Sequence, residues 1–291
     1  MFDFLKRKKK YTLTKQRDFN TKYFLDLDIQ MKFERDGYVV LKDVVSAAEL
    51  QDAYRHFLKL SEMEGYNVTA KFESSGNFVS KYIQEFVFRY VNKFISDVAP
   101  RFANFENCEI GSGGAFFIKP NTKDSFLAPH QDSAVIDESK YYGIFLWIPI
   151  QDINSTNGAL YVLPGSHLWG NFCRSQHIPW AFRKHEKFLW SKMIPLYVNK
   201  GDIVCFDTSI IHGSSVNYSD LYRLVLCGAL LPKKYQMVEY AKNNGSTIRY
   251  LIDDTYWLDG GRIESLHKYP SENIQQEYPN PISLYELKKI I

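Results

Sequence analysis

"GDIVCFDTSIIHGSSVNYSDLYRLVLCGALL" (residues 201–231) reads as two strands joined by a polar turn. A Gly-Asp turn launches the apolar run "IVCFD", and His212 follows at its far end. After "GSSVNYSD" the chain returns as "YRLVLCGALL". If the return is antiparallel, Arg223, Val225 and Cys227 share one face at period two. A guanidinium among apolar neighbours is costly unless it meets an anion, and its planar fork suits a carboxylate. The competing partner is internal, Asp202 or Asp207. Ser214, just past His212, either reaches the same anion or bonds its own turn backbone.

Working outward, "GAFFIK", "YGIFLWIPI" and "ALYVLP" share this texture of short β-rich runs. Turn signals such as Pro-Asn, Asn-Gly and Pro-Gly separate them, which predicts a sandwich or barrel flanked by helices. Upstream, "YVVL" reads as a strand, and Ser46 with Glu49 forms a capping-box pattern opening a helix. Leu50, Ala53, Tyr54, Phe57 and Leu58 mark its expected apolar stripe. A second helix is expected over 81–97, with Phe86, Tyr90 and Phe94 along one side. The expected organisation is a basic, flexible segment at 1–25, then one domain over 26–291. A lid-like insertion at 168–196 and an irregular covering tail at 233–291 complete it.

Hydrophobic content of 45% and charged content of 24% are those of a soluble globular protein. Net charge is +3, and its local source at 6–10, Lys-Arg-Lys-Lys-Lys, reads as a solvated tail, so neither nucleic acid nor membrane is expected as a partner. No run is long and apolar enough to span a bilayer. Cys108, Cys173, Cys205 and Cys227 are far apart in the chain and form no CxxC, so a reducing, cytoplasmic setting is expected. "GSGG" at 111–114 lacks the lysine of a phosphate loop and reads as a turn or bulge.

The second chemical signal is "APHQDS" (128–133). In an extended segment His130 and Asp132 face the same way, so two ligating groups converge. The plainer reading sets both in a turn facing solvent. A metal needs a third ligand. His56 sits on the first long helix, His177 and His185 in the insertion, and His267 in the tail. His167, ending "LPGSH", remains a competitor, while delivery by a strand favours His212. Two histidines and one carboxylate leave octahedral positions open, the facial arrangement of non-haem Fe(II) oxygenases. The insertion's cations, Arg174, His177, Arg183, Lys184 and His185, stand among Trp180, Phe182 and Phe188. They read as a lid for an anionic substrate or as a solvated face over an aromatic stripe.

Taken together, "FERDGYVVLKDVVSAAEL" (33–50), "HQD" (130–132), "LWIPIQDINSTNGALYVLPGSH" (146–167) and "GDIVCFDTSIIHGSSVNYSDLYR" (201–223) resemble the phytanoyl-CoA dioxygenase family. The resemblance covers roughly 33–232 and leaves the insertion and tail unmatched. It implies a double-stranded β-helix (jelly-roll, cupin-like) core and an Fe(II)- and 2-oxoglutarate-dependent dioxygenase. Such an enzyme uses O2 to hydroxylate an unactivated C–H of a small-molecule substrate, releasing succinate and CO2. It further implies His130, Asp132 and His212 on iron and Arg223 on the distal carboxylate of 2-oxoglutarate. Ser214 assists Arg223, and Trp147 lies beside the co-substrate or in plain core. A lysine ahead of the β core, Lys71 or Lys81, adds a contact. His167 becomes a structural turn residue, and the retained Asp132 favours hydroxylation over halogenation. Two alternatives stay open: a cupin-type metal enzyme without 2-oxoglutarate, and a catalytically silent binding module.

Overall fold

A computed structural model describes residues 21–68, 71–75, 80–111, 113–169, 173–258, 261–274 and 283–291. The basic run at 6–10 lies outside the described residues, as does most of the expected segment 1–25. Three helices come early: α1 (Leu27–Asp36), α2 (Ala47–Ser61) and α3 (Lys81–Val98). Asp26 caps α1 through the Asp28 and Ile29 amides, and Gly37 ends it in the left-handed conformation. The Ser46–Glu49 capping box opens α2. Its buried positions are Leu50, Ala53, Phe57 and Leu60. Tyr54 and Leu58, expected on the apolar stripe, are exposed instead, because the stripe turns toward Leu60. On α3 the buried line is Ile83, Val87, Val91, Phe94, Ile95 and Val98, and Phe86 and Tyr90 flank it half-buried.

Among the described residues fourteen strands follow or interleave. They are β1 (Tyr38–Leu41), β2 (Glu73–Ser74), β3 (Cys108–Ile110), β4 (Ala115–Lys119), β5 (Leu127–His130), β6 (Ile144–Pro149) and β7 (Leu160–Val162). After them come β8 (Ile194–Leu196), β9 (Ile203–Asp207), β10 (His212–Ser214), β11 (Arg223–Pro232), β12 (Met237–Asn243), β13 (Ser246–Ile252) and β14 (Ser271–Ile274). One sheet runs β1-β9-β6-β11-β4-β2, with β3 also paired to β11; a second runs β5-β10-β7-β8. The two are separate sheets with antiparallel pairings, packed face to face rather than closed as a barrel.

Period-two alternation sorts the cores. Ile144, Leu146 and Ile148 of β6 and Leu224, Leu226 and Leu230 of β11 pack against the helices. Trp147, Val204, Phe206, Val225 and Cys227 point the other way, onto Leu160, Val162 and Leu196 of the second sheet. That inner face is where the site forms.

Two expectations change here. The segment set aside as an insertion, 168–196, ends inside the fold: β8 pairs with β7, Leu160 opposite Leu196. A short helix, α4 (Glu186–Trp190), precedes it. The tail expected to be irregular carries a third sheet, β12-β13-β14. Asn244 and Gly245, both at positive φ, make its first turn, the hairpin chemistry of an Asn-Gly pair. All four cysteines are buried.

Candidate metal centre

β10 lies between β5 and β7, and its first residue, His212, is the Cα partner of His130 at the end of β5. The imidazole centroids are 4.2 Å apart. Nδ1 of His130 bonds the Ala128 carbonyl at 2.8 Å, and Nδ1 of His212 bonds the Ile210 carbonyl at 3.1 Å. A carbonyl only accepts, so each Nδ1 carries the proton and each Nε2 presents a lone pair. Those lone pairs face Asp132: Nε2 of His130 is 3.6 Å from Oδ1, and Nε2 of His212 is 3.8 Å from Oδ2. The gaps are too wide for hydrogen bonds and suit ligands sharing one ion. Among the described residues, His130, Asp132 and His212 form the group whose donor atoms all lie within 4.8 Å of one another.

His212 is buried and His130 and Asp132 are half-buried, so the group opens on one side. Burial, with His130 adding, pulls His212 down to about 4, so its ring is neutral near pH 7. Gln131, between the ligands, points the opposite way. Its amide donates to the Ser209 carbonyl at 2.6 Å and accepts from Trp180 Nε1 at 3.1 Å. Two imidazole nitrogens and one carboxylate on one face are the donor set of a non-haem Fe(II) site with open positions. The residues present fit that ion.

The inner face of the seven-stranded sheet adds two buried basic side chains. Arg223 and Lys119 are register partners on β11 and β4. Arg223 is 1% exposed, and its Nη1 donates to the Gly158 carbonyl at 2.6 Å. Its Nε has no hydrogen-bond partner. The alternative carboxylates are taken elsewhere: Asp202 pairs with Lys42 at 2.7 Å, and Asp207 accepts from Ser209 Oγ at 2.5 Å. Burial lowers Arg223 to about 10, which leaves it charged. Trp147 lies beneath it, the guanidinium carbon 5.4 Å from the ring, while also forming part of the core. Ser214 Oγ is buried without a partner.

The buried lysine beside Arg223 is Lys119, which sequence reasoning missed. Its Nζ donates to the Ser125 and Ser215 carbonyls. Burial, then Arg223, lowers it to about 6. Lys71 and Lys81, weighed for a similar role, are exposed. Period-two alternation back from Lys119 to Phe117 and Ala115 was the available signal. Gly158 holds φ +80, and a Cβ there would meet Lys119 Cδ at 2.5 Å, so glycine is what lets Arg223 and Lys119 share this corner.

The remaining histidines stand apart. His167 is buried, and its Nε2 donates to the Glu34 carbonyl at 3.0 Å. His56 stacks on Tyr90, and His177 bonds the Tyr256 hydroxyl at 2.9 Å. His185 precedes α4, and His267 is exposed beside the Glu264 carbonyl. A row of rings leads away from the centre: Phe206 is 4.9 Å from His212, Phe145 is 4.9 Å from Phe206, and Phe117 is 5.8 Å from Phe145. No helix among the described residues is long and apolar enough to cross a membrane.

A family model described as phytanoyl-CoA dioxygenase matches residues 33–225. Phytanoyl-CoA dioxygenase 1 of Oryza sativa subsp. japonica is 29% identical over 103 residues, covering 34% of this chain and 37% of the rice protein. The peroxisomal phytanoyl-CoA dioxygenase of Bos taurus is 25% identical over 240 residues, covering 68% of this chain and 66% of its own. The matches thus span from about a third to just under two thirds of these relatives' lengths. Among solved structures, EctD from S. alaskensis, with 2-oxoglutarate and 5-hydroxyectoine, superposes with a TM-score of 0.54 at 17% identity. That match covers 78% of this chain and 82% of EctD, and at this identity it shows a shared jelly-roll fold.

Proposed function

Since this chain belongs to the phytanoyl-CoA dioxygenase family, we propose that it is an Fe(II)- and 2-oxoglutarate-dependent oxygenase that hydroxylates a C–H of a small molecule. The observation that carries the proposal is the convergence of His130, Asp132 and His212 within reach of one ion, in a fold that also buries an uncompensated Arg223.

His130 and His212 offer neutral nitrogens, and Asp132 offers the charge that favours a dication. Arg223 would receive the distal carboxylate of 2-oxoglutarate through its unpartnered Nε, and the Ser214 hydroxyl, also buried without a partner, would assist it. Trp147 fixes the plane of the guanidinium. Lys119, tied to two carbonyls, braces the same corner. When bound, the ion and 2-oxoglutarate supply the oxidising chemistry, dividing O2 between succinate, formed with CO2, and the hydroxyl of the product. The half-buried Phe145 and Phe117 rings, backed by Phe206, offer an apolar wall against which a hydrocarbon part of the substrate would exclude water.

Arg174, expected among the lid cations, is spent on Glu138, which weakens the anionic-substrate reading. The absence of Arg223 from the ion pairs of the described residues favours a co-substrate over a cupin-type enzyme without one. A cytoplasmic setting is part of the proposal. The test is anaerobic addition of Fe(II), then 2-oxoglutarate. A weak visible charge-transfer band is expected with both present, lost in Asp132→Ala and appearing only at higher 2-oxoglutarate concentration in Arg223→Met. No band in the unaltered protein overturns the assignment.

A further inference from the structure

Asp132 must present its carboxylate to two imidazoles from a segment outside any named strand, so something else has to fix its backbone. Arg174 meets that need. Its Nε donates to the Asp132 carbonyl at 2.9 Å, and its own carbonyl accepts from the Ala134 amide at 2.9 Å. The chain at 132–134 is therefore stapled to residue 174 at two points. The rest of the guanidinium is held by Glu138, Nη1 to Oε2 at 2.6 Å and Nη2 to Oε1 at 2.8 Å. Thr208 Oγ1 donates to the same carboxylate at 3.0 Å. The side chains are 3% and 0% exposed.

A buried ion pair seldom stabilises a fold more than apolar residues of the same size, so stability alone is a poor account of it. Its location supplies a better one. A guanidinium bonded to the backbone of the metal-facing Asp132 would, uncompensated, repel a divalent ion. Glu138 cancels that charge while leaving the hydrogen bond to Asp132 in place.

We propose that Arg174 and Glu138 act together as a charge-neutral clamp that positions Asp132, Arg174 holding its backbone and Glu138 keeping the field at the centre favourable to a cation. The clamp rests on the metal-centre reading above. It gives Arg174, within the segment 168–196, a fixed, supporting role. Neither residue touches substrate in this scheme; both are positioning residues.

The test is Mn(II) affinity of the full chain, read from the free-ion paramagnetic resonance signal, with thermal stability measured alongside. Glu138→Gln keeps the shape and leaves the guanidinium uncompensated, and its Mn(II) binding should weaken about 10- to 100-fold, the range for partners of metal ligands. Glu138→Asp keeps the charge and should largely restore binding, even where both variants lose similar stability. Arg174→Met with Glu138→Leu removes the charges together and keeps an apolar fill. It should bind more weakly than the unaltered protein and more tightly than Glu138→Gln. Should Glu138→Gln fail to fold, the double variant decides, and unaltered Mn(II) affinity in it overturns the clamp. Equal Mn(II) affinity in Glu138→Gln and Glu138→Asp also overturns it, as a purely structural pair would behave that way. Asp132→Ala separates the two readings. If it abolishes Mn(II) binding while Glu138→Gln leaves binding intact, the clamp fails alone; if it leaves binding intact, the metal centre fails with it.

Discussion

His130 and His212 are Cα partners across the β5–β10 pair, and each ring is tethered by Nδ1 to the carbonyl two residues before it. The tethers fix both tautomers before any ion arrives. His212→Ala or His130→Ala should therefore abolish tight Mn(II) binding with little change in secondary structure. Free-ion resonance and circular dichroism check this together.

Gly213 sits between His212 and Ser214, and a Cβ there would stand 2.7 Å from the Leu127 carbonyl oxygen and 3.2 Å from that of Ala128. Both obstacles are backbone of the partner strand, which cannot swing aside. Gly213→Ala should cost about 1–3 kcal/mol in urea unfolding, the usual range for overpacking. It should also weaken metal binding, because β5 and β10 must part.

Arg223→Met should leave Mn(II) affinity close to that of the unaltered protein and raise the 2-oxoglutarate Kd. A hydrogen bond to a charged group is worth about 1.5–3 kcal/mol, so the expected rise is roughly 10- to 150-fold. Titration of the charge-transfer band measures it. A rise in metal Kd of the same size would show that Arg223 serves the centre and not the co-substrate.

Glu239, on β12, is buried with Oε2 unpartnered, and burial raises its carboxyl from 4.5 to about 7. The folded state thus holds a proton that the unfolded chain releases earlier. Its contribution is fully present below about 4.5 and is lost as pH rises toward about 7, a change on the order of 3 kcal/mol. Glu239→Gln should be more stable than the unaltered protein around pH 8, and the difference should vanish around pH 4. Thermal unfolding across that interval is the measurement.

Ser46→Ala should cost about 1 kcal/mol, since its hydroxyl accepts from the Glu49 amide at the start of α2. Urea unfolding checks it.

Local signals were legible wherever chemistry is local. "YVVL" is β1 residue for residue, the capping box opens α2, and 81–97 falls within α3. The i, i+2 spacing pointed to His130 and Asp132 together, although Asp132 lies just past the end of β5, and the strand that leads to His212 pointed to the third member. What stayed hidden depends on register or distance. Lys119 is an unremarkable strand-end lysine until β11 sets it opposite Arg223. Arg174 resembled its cationic neighbours until the fold brought it to Glu138. The tail's hairpin had a sign in Asn244-Gly245, flanked by β-rich runs, that aromatic content obscured.

The ligand imidazoles stand on β5 and β10 of one sheet, whereas Arg223 begins β11 of the other. The interval between them is set by interleaved side chains of the inner core, Trp147, Val162 and Val225 among them. On the function proposed above, sheet packing therefore acts as a caliper for the co-substrate. A keto-diacid one methylene shorter or longer should then bind more weakly than 2-oxoglutarate, and any change in that core should reset the gauge.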